Sequence, residues 1–177
     1  MSKAIYQIDS AHSSAQFTVR HMMISNVRGE FTKLSGSIAY DAADPANSSV
    51  EATIEAASIN TRDAQRDAHL KSADFFDVER FPALTFRATE IGVRDGEGKV
   101  KGDLTIHGVT REAVLHVEGP TPEAKDPWGN LRIGATATAK INRKDFGLTW
   151  NAALEAGGVL VGEEVKITID LEAIRQS

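Results

Sequence analysis

Alternation limits this chain more than any other property. In AQFTVRHM, Phe17, Val19 and His21 fall on one side of an extended backbone and Gln16, Thr18 and Arg20 on the other. The same period sets Ile38 with Tyr40, Val50 with Ala52, Ile54 and Ala56, and Leu84 with Phe86 and Ala88. It returns in Val100, Leu104 and Ile106, and in Ala113, Leu115 and Val117. It also orders the run from Leu131 through Ala135, Ala137 and Ala139 to Ile141, and the set Val165, Ile167, Ile169 and Leu171. A period of two marks a pleated strand with one buried face. At least eight such strands are legible. Turn chemistry separates them: DAADPANSS, the Asp95-Gly96 pair, and PTPEAKDPWGN.

Strands that are wet on one side belong to antiparallel sheets. Eight or more close most simply as a barrel or a sandwich, which also removes unpaired edges. The expected class is therefore all-β. No linker, repeat or low-complexity stretch divides residues 1–177, a length sufficient for one core and tight for two, so a single domain is expected.

Only residues 61–74 read as helix. Thr61 or Asn60 is placed to cap it, and Asp67 and Lys71 are spaced as a favourable ion pair. Its apolar stripe is thin, chiefly Ala64, Ala68, Leu70 and Ala73. Such a helix buries little along its own length and suits a lid. Phe75, Phe76, Phe81 and Phe86 follow closely, in a chain with only 7 phenylalanines. The first three are expected to seat the lid, and Phe86 to line the wall beneath it.

Charge and composition exclude some classes of partner. The net charge is −5, with no basic block, which argues against nucleic acid and against electrostatic docking on anionic membranes. No apolar run approaches the ~20 residues of a transmembrane helix. The start, MSKAIYQID, has no apolar signal core, so a cytoplasmic location is expected for the sequence as it stands, or a periplasmic one for a trimmed mature form. Cysteine is absent, which removes disulfides, thiol catalysis and thiolate metal sites.

The inward faces include small residues: Ala52, Ala56, Ala135, Ala137 and Ala139. Interiors close-pack, so volume left near a barrel axis is occupied by a ligand or by bulky side chains from opposite strands. The residues leave both open. With few charges on these faces, a ligand would be apolar over most of its length, at roughly 0.8 kcal/mol per buried methylene. The histidines, His12, His21, His69, His107 and His116, show no metal-ligand spacing. His69 lies near Asp67 and Arg66, but no nucleophile elbow or oxyanion motif accompanies it, so a rim position is the expectation. No catalytic residue, metal or cofactor is expected. Phe146, Leu148 and Trp150 in DFGLTW read as core or cavity mouth, and Trp128 as a loop residue.

Four stretches in order carry a family resemblance. DSAHSSAQFTVRHMMISNVRGEF, RDAHLKSADFFDVERFPALTF, GDLTIHGVTREAVLHV and INRKDFGLTWN resemble the signature segments of the YceI-like family, from about Tyr6 to Leu171. The resemblance implies an extended, eight-stranded, antiparallel lipocalin-like β-barrel with a helical cover. It further implies a non-enzymatic protein that binds, stores or transports a long-chain isoprenoid, polyprenol- or quinone-like, or a similar amphiphile. A side-chain-filled interaction module and a lipid-acting hydrolase or isomerase, with His21 or His69 as base, are the alternatives. The expected lining is Phe17, Val19, Ile38, Ala52, Ile54, Phe86, Leu104, Ile106, Leu115, Ala135 and Ala137. Phe75, Phe76 and Phe81 are expected near the cover, and Phe146, Leu148 and Trp150 near the mouth. His21, Arg20 or Asn151 would meet a polar head group. A barrel with an open end exposes apolar surface, so a homodimer is expected.

Overall fold

The computed structural model describes residues 3–155 and 157–177. Its strands are β1 (Ala4–Ile8), β2 (Ser14–His21), β3 (Ser25–Phe31), β4 (Leu34–Tyr40), β5 (Ser49–Glu55) and β6 (Ile59–Asn60), followed by helix α1 (Ala64–Lys71). Then come β7 (Ala83–Arg94), β8 (Glu97–Ile106), β9 (Val109–Glu118), β10 (Ala124–Lys125), β11 (Leu131–Asn142) and β12 (Val161–Arg175). The order β11-β9-β8-β7-β5-β4-β1-β12 returns to β11 through the long β11–β12 ladder, closing an eight-stranded antiparallel barrel.

Three staves of that barrel are broken and resumed, which explains the extra strands. Along one edge of β12, β1 faces Ala173–Arg175 and β2 faces Val161–Asp170. β3 runs on into β4, and β5 runs on into β6 through a 3-10 turn, each keeping its neighbour. The barrel is therefore tall. The 15 residues of β12, at a tilt of 35–45°, span roughly 35–40 Å along the axis. The Asp95-Gly96 turn forms as expected, with both residues at positive φ (56° and 80°), the geometry that matches strand twist. Among the described residues no helix is long and apolar enough to cross a membrane.

The helix is shorter than the sequence indicates and is capped differently. Asp63 is its N-cap, accepting from the Arg66 N–H at 3.0 Å. Thr61 and Asn60 do not cap it. Asp67 makes no pair with Lys71 because its carboxylate turns back to accept from the Thr61 N–H (2.8 Å) and hydroxyl (2.6 Å). Thr61 is thereby buried, and the helix start is tied to the barrel instead of to solvent.

Two ends follow from the topology. One carries α1, the turn after β2, the 3-10 turn Arg143–Phe146 and the segment leading to β12; here Ala15, Phe31, Ile59, Leu84, Ile106, Phe146 and Leu148 form a core cluster. At the far end Tyr6, Ile133 and Ala173 pack with Ile38, Tyr40 and Leu171.

Candidate functional site

The barrel is not filled by its own side chains. A cavity of about 390 Å³ runs inside it, walled from Tyr40, Val93 and Ile133 near the far end to Trp150 and Leu160 at the helix end. The residues expected in its lining, Phe17, Val19, Ile38, Ala52, Ile54, Phe86, Leu104, Ile106, Leu115, Ala135 and Ala137, are all on the wall, as are His21 and Arg20, expected to meet a head group. Phe75, Phe76, Leu148 and Trp150 join them at the helix end.

The lumen stays open for a specific reason. Phe17 and Phe86 lie flat against the wall because they rest over glycines. A Cβ placed on Gly29 would fall 2.7 Å from Phe17 Cε2, and one on Gly102 would fall 2.7 Å from Phe86 Cε1. Small residues at Ala52, Ala135 and Ala137 remove further bulk from the axis.

Three expected site residues lie elsewhere. Phe81 packs edge-on against His107 at 4.7 Å, with the Arg80 guanidinium 5.1 Å over its ring, because the turn after α1 carries it to the outside of the β8–β9 hairpin. Phe146, on its 3-10 turn, is only 2% exposed and belongs to the core cluster, packed with wall residues and not itself on the cavity surface. Asn151 spends its amide on Val161, donating to its carbonyl at 2.8 Å and accepting its N–H at 3.0 Å. It pins a loop and does not line the cavity.

At the helix end aromatic rings pack edge to face. His69 lies 5.1 Å from Phe75 and 4.6 Å from Trp150, and its Nε2 is 2.9 Å from Asp74 Oδ2, not from Asp67. Phe75 and Trp150 are 5.4 Å apart, and Phe76 meets Phe31 edge-on at 5.6 Å. His69 thus lines the cavity and closes its roof.

Arg143 was not legible as a site residue. It stands in the polar run INRKD, which reads as a solvated turn, yet it is 4% exposed and lines the cavity. Its Nε donates to Gly162 O (2.8 Å), Nη1 to Leu148 O (2.6 Å) and Trp150 O (2.9 Å), and Nη2 to Val161 O (3.2 Å). Burial holds its pKa below the ordinary arginine value. One guanidinium therefore clips the mouth loop onto the start of β12.

The far end is fastened by ion pairs. Arg132 donates to Asp9 Oδ2 and to Asp126 Oδ2, both at 2.7 Å, and His12 Nδ1 also lies 2.7 Å from Asp9 Oδ2. Arg132, then His12, hold the Asp9 carboxyl below its usual range, and Arg132 brings Asp126 down to about 2. The Tyr6 hydroxyl donates to Glu123 Oε1 at 2.7 Å; burial first, then that carboxylate, push its pKa up to about 12.

A family model described as the YceI-like domain matches residues 6–173. A UPF0312 protein of Staphylococcus aureus strain N315 is 38% identical over 167 residues, covering 94% of this chain and 95% of its own. The crystal structure of a Campylobacter jejuni YCEI protein superposes with a TM-score of 0.72 at 33% identity, over 89% of this chain and 90% of that one. A polyisoprenoid binding domain from Saccharophagus degradans shares the fold at a TM-score of 0.68 and 17% identity, over 97% and 98% of the two chains.

Proposed function

Because this chain belongs to the YceI-like family, we propose that it binds a long-chain isoprenoid lipid or similar amphiphile in its barrel, as a store or carrier and not as an enzyme. The observation that carries this reading is the continuous apolar lumen, kept open by Gly29, Gly102 and the inward alanines. A wall of this kind gains roughly 0.8 kcal/mol for each methylene it shields, so a long tail binds tightly with almost no hydrogen bonds. A fold shared with a polyisoprenoid binding domain supports the same ligand class.

One observation favours a second reading, catalysis on the bound lipid: the His69–Asp74 pair at the roof. Turnover separates the two, since an enzyme would convert the bound lipid into a product and a carrier would return it unchanged.

The test uses Trp150, which lines the cavity mouth, while the other tryptophan, Trp128, is 80% exposed. In delipidated Trp128→Phe protein, a polyprenol or a long-chain quinone is titrated against Trp150 emission. Saturable quenching or a spectral shift at one ligand per chain is expected. A folded protein whose emission ignores both ligands, and which takes up neither, overturns the proposal.

A further inference from the structure

The cavity wall has a charge asymmetry that a purely apolar container does not need. Its basic members are Arg20, His21, Arg66, His69 and Arg143, and among the described residues no Asp, Glu or Lys lines it. The chain as a whole carries 25 Asp and Glu against 20 Lys and Arg, yet the only fully charged side chains among the described lining residues are the three arginines. All five groups belong to the helix end: Arg20 and His21 close β2, Arg66 and His69 sit on α1, and Arg143 follows β11. The far part of the lumen is lined by Tyr40, Ser48 and aliphatic side chains.

The three arginines also share a bonding state. Arg20 donates to Asn26 Oδ1 and the Met23 carbonyl, and Arg66 to the Thr61 hydroxyl and carbonyl. Arg143 donates to four carbonyls. Every acceptor is neutral. Arg132 and Arg175, at the other end, hold carboxylates. Arg143 is the decisive case. It is buried, its four bonds use four of the five N–H groups of a guanidinium, and the remaining hydrogen on Nη2 meets no acceptor among the described residues. Carbonyl dipoles solvate such a cation without neutralising it; Glu163 acts on it only through space and is itself bonded to Lys144 at 2.7 Å, so among the described residues no carboxylate bonds the buried guanidinium, a costly state. Charges of one sign beside low-dielectric walls also focus their field into the cleft.

We propose that the ligand is an acidic amphiphile, a long chain ending in a carboxylate or a phosphate. Its head lies at the helix end beside Arg143, with Arg66 and Arg20 around it, and its tail points toward Tyr40 and Ile133. This rests on the tail-binding reading above and adds both the chemistry of the head and the direction of the chain. The bound anion supplies a directly bonded counter-charge on the lumen side, and charge-assisted bonds in a dry site are the strong ones.

Two matched pairs test it in delipidated wild-type protein, by displacement of a fluorescent apolar dye: palmitic acid against hexadecanol, and geranylgeranyl phosphate against geranylgeraniol. In at least one pair the acid should bind at least about tenfold more tightly than its alcohol. The pair that shows it identifies the source as carboxylate or phosphate. Because the charge is buried, the preference should survive a rise in salt to 0.5 M, where surface pairing is screened. Arg143→Lys should keep the preference, since it keeps the cation, while Arg143→Gln should lose it. Should either variant fail to fold, the wild-type ratios decide. Acid and alcohol binding equally in both pairs overturns the proposal and leaves the tail reading standing. If none of the four binds, the tail reading falls and the head-group assignment falls with it.

Discussion

Gly29→Ala probes how the lumen is kept open. Phe17 and Gly29 face each other across β2 and β3. An added Cβ would stand 2.7 Å from Phe17 Cε2 and 2.8 Å from Thr61 Cγ2. Carbon atoms prefer about 3.5–4.0 Å, so the ring must retreat by roughly 1 Å. Thr61 is held in place by Asp67, and the wall lies behind, so the ring moves into the lumen. Overpacking of this kind costs about 1–3 kcal/mol, and the loss of glycine's freedom in the unfolded chain returns about 0.4–1. The net expectation is a destabilisation of about 1–2 kcal/mol, read from urea unfolding at unchanged m-value. The displaced ring also takes the place of one or two methylenes of tail, at about 0.8 kcal/mol each, so affinity for a long-chain ligand should fall about four- to fifteenfold. Phe17→Leu clears the clash. In the Leu background the same glycine substitution should lose its penalty, giving a coupling of about 1–2 kcal/mol where independent sites add within about 0.5. Additive single effects with unchanged affinity would refute the glycine-and-ring argument.

Further expectations concern the roof and the two ends. Phe75→Ala removes a ring that is 7% exposed and touches both His69 and Trp150; it should cost about 3 kcal/mol or more and speed release of a bound lipid, whereas a loss of stability with unchanged retention would reduce the cluster to plain core. Asp126 has a folded pKa lowered to about 2, so its contribution is present above the unfolded value near 3.9 and disappears as pH falls toward about 2; Asp126→Asn should flatten that acid limb of the stability curve. Tyr6 has the opposite sign: raised to about 12, it stabilises fully below about pH 10 and loses that contribution as pH rises toward 12, so Tyr6→Phe should flatten the alkaline limb. The exposed Met22, Met23 and Ile24 at the turn after β2 bear on self-association; sedimentation should show a homodimer that Ile24→Asp weakens, and a strict monomer at high concentration would end that expectation.

The sequence exposes the barrel because an inward residue is visible whenever its neighbours face water. Phe17 and Val19, Leu104 and Ile106, and Ala135 and Ala137 reach the wall at the positions their alternation assigns. The short strands β6 and β10 carry no alternation to see, since each has only 2 residues. The breaks between β1 and β2, and between β5 and β6, depend on turns whose register only the closed ring determines. Phe81 and Phe146 escape a reading by period for a related reason: an aromatic in irregular backbone has no alternation to show which way it points. Arg143 defeats composition altogether, because its acceptors are main-chain carbonyls, which leave no trace in residue identity. The Asp67–Lys71 spacing is a genuine helix signal, but Thr61 competes for the same carboxylate and wins by pairing through both its N–H and its hydroxyl.

The most direct test of a lipid-holding barrel is the protein as purified, examined by native mass spectrometry and by organic extraction. The cavity predicts one long-chain amphiphile per chain, lost on denaturation and recovered in the extract. A folded protein that carries no lipid, and that after delipidation takes up neither a polyprenol nor a long-chain acid, would contradict it.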